Sequence, residues 1–177
     1  DGTGAPPIEN AVVLVTGATI TAAGAASAVT IPAGAQVIDL GDATILPGFI
    51  DAHVHLIGRT LGDPKRDNAI VRDYASLSAI LGVPNAQATL MAGFTSVRNV
   101  GAPEFQDMAL RQAINEGRVP GPRMQNAGES LGITGGHCDE NGFRPGLLDS
   151  KPEPAIANGT DAVRAAVRYE IKYGADV

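Results

Sequence analysis

The sequence predicts an α/β fold in which parallel strands alternate with helices, as in a (β/α)8 barrel. Strand-like and helical segments alternate after Pro47, and this pattern implies a parallel sheet with helical crossovers. No Gly-x-Gly-x-x-Gly motif follows the first strong strand, so a dinucleotide-binding sheet has no support. A barrel carries its functional residues at the C-terminal ends of its strands, and His53 and His55 end the first strand.

Residues 1–46 are predicted to form a separate small β-module ahead of a barrel segment over residues 47–177. The module contains short β-rich runs separated by Gly and Pro turns, at residues 12–15, 19–21, 29–31 and 36–40. The chain opens on the turn sequence Asp1-Gly2-Thr3-Gly4 without Met, which indicates a trimmed or processed start. Both a cytoplasmic location and export with removal of a signal peptide therefore stay open.

The barrel segment is read from hydrophobic periodicity and from Gly and Pro boundaries. Residues 66–92 show helical spacing, with Pro84 predicted to start a second helix and Gly93 to cap its end. The other predicted elements are strands at 49–56, 94–100 and 123–127, helices at 103–116 and 161–172 with Thr160 as N-cap, and a fourth strand beginning at 175–177.

The His53-Val54-His55 segment is the strongest chemical signal in the chain. Alternate side chains of a strand point to the same face, so Asp51, His53 and His55 would share one face. Two neighbouring imidazoles indicate a divalent metal site. The alternative is a pair of buried histidines bonded to their neighbours. The paired spacing, with Asp51 two residues earlier, favours the metal.

A loop of roughly thirty residues, from Ser130 to Gly159, is predicted after the third strand. Irregular loops longer than about fifteen residues are uncommon in compact domains and are often functional. Two glycines before His137 give the backbone freedom to bring that side chain inward. The alternative is a solvated loop with a surface histidine.

Composition excludes some classes of partner. The formal net charge of −6 argues against nucleic acid, which would require a clustered basic face. No apolar stretch is long enough to span a membrane. Cys138 is the single cysteine, so no intrachain disulfide can form.

Several segments together resemble the amidohydrolase superfamily. The run Ile45-Leu46-Pro47-Gly48-Phe49-Ile50-Asp51-Ala52-His53-Val54-His55-Leu56 resembles its entry motif, residues 93–101 its second strand, and residues 117–123 the approach to its third. The segment Gly135-Gly136-His137-Cys138-Asp139 is similar to a branch of metal-dependent dipeptidases and carboxypeptidases. That branch includes prolidase-like and ochratoxin-hydrolysing amidohydrolases.

The resemblance implies two divalent metal ions, usually zinc, at the mouth of a distorted barrel, with residues 1–46 forming part of a β-sandwich. His53 and His55 would bind metal, and Asp51 would support the ligands or pack inside the barrel. A bridging carboxylated lysine, further histidines and a catalytic Asp would lie beyond Val177, so the remainder of a longer chain is expected. Asn99 stands where relatives often have Asp.

The function implied is hydrolysis of a C-terminal amide or peptide bond by a metal-activated hydroxide, with a dipeptide, N-acyl amino acid or ochratoxin-like amide as substrate. His137 would contact the scissile carbonyl or the substrate carboxylate, and the enzyme is expected to be a homo-oligomer. Arg98 would bind substrate or form a structural ion pair. The alternatives are a deaminase or cyclic amidase of the same superfamily, which the Gly-Gly-His loop disfavours, and a non-catalytic metal-binding or interaction module.

Overall fold

The computed structural model describes residues 4–148 and 155–177, and it divides into two units after Pro47. Residues 1–3 of the predicted N-terminal turn, and residues 149–154 of the predicted long loop, lie outside the described residues. Throughout the described ranges, no helix combines the length and the apolar character needed to cross a bilayer.

The first unit contains an antiparallel hairpin of β1 (Ala11–Thr16) and β2 (Thr19–Ala25). Its two-residue loop begins with Gly17, whose φ of +61° suits glycine. The hairpin confirms the first two predicted strands, whereas the strands predicted at 29–31 and 36–40 are wrong. Local turns follow both segments, with Ala35 N–H bonded to the Pro32 carbonyl and Ala43 N–H to the Leu40 carbonyl.

The second unit is a parallel sheet with helical crossovers. The strands of this unit are β3 (Phe49–Val54), β4 (Phe94–Asn99) and β5 (Arg123–Asn126), paired in the order β3-β4-β5. The helices are α1 (Ala69–Arg72), α2 (Ala75–Met91), α3 (Gln106–Asn115) and α4 (Thr160–Lys172). The predicted alternation is therefore confirmed over three parallel strands within the described residues.

The core of this unit forms where α2 and α3 cover the sheet. Its buried apolar residues are Leu56, Ala86, Val97, Leu110 and Met124. Helix α2 approaches closely because it presents small residues: a Cβ added at Gly82 would lie 2.9 Å from the Ile57 Cδ1 atom and 3.2 Å from Leu110 Cδ2. This packing holds the helices against the sheet and so fixes β3, the strand whose end carries His53 and His55.

The helix break predicted at Pro84 is wrong, because α2 runs through Pro84. The break lies instead at Asp73 and Tyr74, whose ψ angles of 143° and 141° are extended. Arg59 holds this position by donating two hydrogen bonds to the Asp73 carboxylate, at 2.7 and 3.2 Å. Pro84 removes only the hydrogen bond to the carbonyl of Ile80, an exposed residue, so tertiary packing outweighs the proline signal.

The remaining boundaries differ by a residue or two. Gly93, with φ +96°, follows α2 as predicted, and its N–H bonds to the Leu90 carbonyl. Thr160 is the first residue of α4, and Gly159 occupies the N-cap position predicted for Thr160. Residues 175–177 are not assigned as a strand, although Asp176 N–H donates to the Asn126 carbonyl at 2.8 Å.

The three parallel strands end at one edge of the sheet. Val54 is aligned with Asn99, and Asn99 with Asn126. Val100 N–H bonds to the Val54 carbonyl and Ala127 N–H to the Asn99 carbonyl, so the ladder extends past the strand ends. The residues that follow each strand are therefore brought together at this edge.

Candidate functional site

A cleft of about 1240 Å³ opens at the C-terminal edge of the sheet. It is bounded by the segments that follow β3, β4 and β5, by the long loop, and by α4 with the residues after it. The side chains with metal-binding or acid-base chemistry in its lining include His53, His55, Arg66, Glu129, His137 and Glu170. The structure thus brings all three histidines of the chain to one cleft.

His53 and His55 lie side by side at the end of β3. Their ring centroids are 5.4 Å apart and the rings are inclined at 74°. The Nδ1 atom of His55 lies 3.4 Å from the Gly101 carbonyl oxygen. A carbonyl only accepts hydrogen bonds, so this contact requires the proton on Nδ1 and leaves the lone pair on Nε2. His55 is therefore compatible with metal binding through Nε2.

A bulge in β3 sets the backbone of His53. Three residue steps from Asp51 to Val54 face only two steps on β4, so β3 carries one extra residue there. Asp51 Oδ1 accepts a hydrogen bond from His53 N–H at 3.0 Å, and Arg98 Nε donates to the Ala52 carbonyl at 2.7 Å. Two charged side chains thus satisfy backbone groups that the bulge removes from the ladder.

The loop carrying His137 is closed at its base and makes a tight turn just after its first arm leaves that base. Gly132 pairs with Ile156 in a parallel bridge. Close to this base, Gly135 has φ +73° and donates its N–H to the Asp139 carboxylate at 2.7 Å. This turn precedes His137, which lies in the cleft lining with His53 and His55. The positive φ of Gly135 therefore belongs to a turn that directly precedes His137.

Two acidic side chains near the cleft are buried. Asp107 is completely buried, and burial raises the pKa of its carboxyl group even though Gly128 and Met108 donate N–H groups to it. Glu170, on α4, is 4% exposed, and burial raises its pKa as well. Its Oε2 accepts the Glu129 N–H at 3.1 Å. A side chain at Gly128 would collide with this same oxygen, so the glycine makes room for the carboxylate.

The histidine pair fits a metal ion as two nitrogen donors of a larger ligand set. Within residues 4–148 and 155–177, no cluster of three or more His, Cys, Asp or Glu side chains could hold a metal ion. His53 and His55 as metal ligands, His137 as a substrate contact and Asp51 as a supporting residue therefore stay predictions. The contact that the structure shows for Asp51 is with the backbone N–H of His53.

Several charged residues of the cleft were not singled out from the sequence, among them Arg66, Glu129 and Glu170. Arg66 begins a short 3-10 turn, Arg66–Asn68, and is the one Lys or Arg side chain among the described residues that line the cleft. No periodic pattern distinguishes it from the neighbouring charged residues. Glu170 lies within the predicted helix 161–172, and only the structure shows that it is buried and lines the cleft.

Comparison with known proteins agrees with this arrangement. The profile of the amidohydrolase family matches residues 44–177. The chain belongs to the amidohydrolase family. Members of this family are typically metal-dependent.

Individual relatives are amide and peptide hydrolases. The ochratoxinase of Aspergillus niger is 30% identical over 152 residues, which are 75% of this chain and 30% of the relative. A Xaa-Pro dipeptidase solved with bound methionine matches with a TM-score of 0.78 at 34% identity. The match covers 93% of this chain and 40% of the dipeptidase chain. A prolidase solved with N-methylphosphonate-L-proline matches with a TM-score of 0.72 at 37% identity. This match covers 92% of this chain and 39% of the prolidase chain.

The amidohydrolase chain described here thus spans between 30% and 40% of the length of these relatives. Its mixed α/β unit is shared with them.

Proposed function

We propose that the complete protein is a metal-dependent hydrolase that cleaves the amide bond before a C-terminal residue. The substrate is a dipeptide, an N-acyl amino acid or an ochratoxin-like amide. The observation that carries this proposal is the convergence of His53, His55 and His137 on one cleft at the strand ends. The proposal is supported by relatives described as a Xaa-Pro dipeptidase, a prolidase and an ochratoxinase.

In this proposal His53 and His55 hold a divalent metal ion, zinc, as part of a two-metal centre whose other ligands come from the rest of the chain. When bound, such an ion supplies Lewis acidity and lowers the pKa of a coordinated water to about 7. Asp51 and Arg98 keep the backbone around His53 in its bulged form, because each bonds to a backbone group of that segment.

His137 and Arg66 orient the substrate. His137 donates a hydrogen bond to the scissile carbonyl oxygen, which stabilises the negative charge that develops there. Arg66 pairs with the terminal carboxylate of the leaving amino acid. The cleft lining also carries Glu129, Asp139 and Glu170, so a substrate carboxylate needs a local cation to offset their charge.

The test uses the complete protein and measures metal content and turnover separately. Metal per protomer is determined by elemental analysis, and hydrolysis is assayed with an Xaa-Pro dipeptide and an N-acyl-phenylalanine. We expect His53→Asn and His55→Asn to lose both metal and activity. His137→Asn should keep the metal and lose activity, and so serves as the matched control.

Three outcomes would contradict the proposal. Turnover of a cyclic amide, or release of ammonia from an aminated heterocycle, without hydrolysis of either acyl substrate would favour the cyclic amidase or the deaminase. A metal-loaded protein that turns over none of these compounds would favour a binding module. Full metal content in the His53→Asn and His55→Asn variants would show that these histidines are not metal ligands.

A further inference from the structure

Asn99, the last residue of β4, is completely buried beside the histidine pair. Its Oδ1 accepts a hydrogen bond from Leu56 N–H at 2.9 Å, and its Nδ2 donates to the Gly101 carbonyl at 3.3 Å. Both contacts involve the surroundings of His55. Leu56 is the next residue in the chain, and the imidazole ring of His55 contacts the same Gly101 carbonyl. One amide group therefore holds both the backbone after His55 and the acceptor of its ring.

Asp107 determines which way the amide of Asn99 faces. The Asp107 Oδ2 atom is 3.4 Å from Asn99 Nδ2, and the carboxylate also accepts the N–H groups of Gly128 and Met108, at 3.2 and 2.9 Å. A carboxylate and a carbonyl only accept, so Asn99 turns its NH₂ group toward them and its oxygen toward Leu56 N–H. The reversed amide would place an oxygen against two acceptors in a buried site.

The Gly101 carbonyl in turn selects the tautomer of His55. Hydrogen bonding to this carbonyl requires a proton on Nδ1, and the lone pair then resides on Nε2. Gly101 has no space for a side chain, because an added Cβ would collide with the Ser130 hydroxyl group and lie 3.6 Å from His55 Cε1. The carbonyl and the ring are thus held in close contact.

We propose that Asn99, oriented by Asp107, is a positioning residue that fixes the ring and the tautomer of His55 for metal binding through Nε2. The inference rests on the proposed function only in that His55 binds a metal. Removal of the groups that orient metal-binding histidines typically lowers metal affinity by about 10- to 100-fold.

Asn99→Leu tests the inference, because it keeps nearly the size of the side chain and removes both the donor and the acceptor of the amide. Asn126→Leu is the matched control. Asn126 is the register partner of Asn99 and is also completely buried, but its Nδ2 donates to the Asp107 backbone carbonyl, at 2.7 Å. Zinc affinity of the complete protein is measured by competition with a chromophoric chelator.

We expect Asn99→Leu to lower zinc affinity by about 10- to 100-fold, and Asn126→Leu to leave it at the wild-type value. Equal losses in the two variants would overturn the inference, because they would indicate a general effect of losing a buried amide.

A second measurement needs no variant. In the zinc-loaded protein labelled with ¹⁵N-histidine, NMR should show the proton of His55 on Nδ1, and a proton on Nε2 would overturn the inference. Neither experiment depends on turnover. Normal zinc affinity and the expected tautomer in a protein that hydrolyses no amide would contradict the proposed function alone.

Discussion

The carboxylate of Asp51 is hydrogen-bonded to the backbone N–H of His53, at 3.0 Å, inside a bulge of β3. The bulge leaves this N–H without a ladder partner, so the side chain of Asp51 takes the place of a strand neighbour. An aspartate near a histidine pair can therefore be required for backbone geometry without touching a metal or a substrate.

We predict that Asp51→Ala lowers the free energy of unfolding by about 1 kcal/mol, because one hydrogen bond to a backbone N–H is lost. Zinc affinity should also fall, since His53 would no longer be held in place. Asp51→Asn keeps an acceptor oxygen, so this variant should retain most of the stability and most of the zinc affinity. Urea denaturation and zinc competition measure the two quantities.

Asp39→Ala is the control for this pair of variants. Asp39 makes the same kind of contact, accepting Gly41 N–H at 2.8 Å, in the first unit of the chain. Its loss should leave zinc affinity unchanged. A drop in zinc affinity as large as that of Asp51→Ala would show that the effect is not specific to the bulge.

We predict that Arg66→Gln selectively impairs substrates with a free C-terminal carboxylate. A charged hydrogen bond contributes about 1.5–3 kcal/mol, so kcat/KM for an N-acyl amino acid should fall by about tenfold or more, mainly through KM. The corresponding C-terminal amide, which lacks the charge, should be hydrolysed equally by the variant and the wild-type enzyme.

Arg72→Gln is the matched control for Arg66. Arg72 is exposed on α1 and is not among the residues that line the cleft. The Arg72→Gln variant should leave kcat/KM unchanged for both substrates. Equal kcat/KM for the acid and the amide in the wild-type enzyme would refute the role of Arg66 and leave amide hydrolysis itself intact.

Glu170 should make stability depend on pH. Burial raises its pKa above the ordinary value of 4.5, so the folded state keeps a proton that the unfolded chain has already lost. The folded protein then binds more protons, and the free energy of unfolding falls as pH rises from 4.5 through the raised pKa. Asp107 acts in the same direction, since burial raises its pKa too.

Glu170→Gln removes one of these ionisations and should make the decline shallower. Urea denaturation between about pH 4 and about pH 7 measures the slope. A slope as steep in Glu170→Gln as in the wild-type protein would assign the pH dependence to other groups.

Replacement of Pro84 should stabilise the protein. Pro84 is an exposed residue inside α2 and cannot donate a hydrogen bond to the Ile80 carbonyl. Pro84→Ala restores that donor, and we expect the free energy of unfolding to rise by about 1–3 kcal/mol. Gln87→Ala, on the same exposed stretch of helix, is the control and should change little. If Pro84→Ala were instead destabilising, the proline would contribute to the stability of α2 and the prediction would be wrong.

The sequence predicted the parallel strands well because their signals are local and consistent. Gly93 follows α2, and the strand after it contains Phe94, Thr95 and Val97, residues that favour strands, so propensity and tertiary structure agree. Pro84 shows the opposite case. Its effect on the backbone is local, but the position of the helix break depends on Arg59 and Asp73, which are 14 residues apart in the chain.

The candidate site was only partly predictable for a related reason. His53 and His55 are recognisable because two residues of one strand carry the pattern. Asn99 gave no such signal, since its partners Leu56 and Asp107 come from other elements. Arg66 and Glu170 likewise reach the cleft through loop and helix placement. Spacing along the chain contains no information about these contacts.

The bridge between Gly132 and Ile156 has a consequence for how substrate range can change. Gly132 N–H bonds to the Ala155 carbonyl, and Ala157 N–H returns to the Gly132 carbonyl, so the two arms of the loop are joined at its base. The segment between them can differ in length and composition while its attachment points stay fixed. We expect that its exchange between relatives, with His137 retained, changes substrate selectivity and leaves the histidine pair untouched.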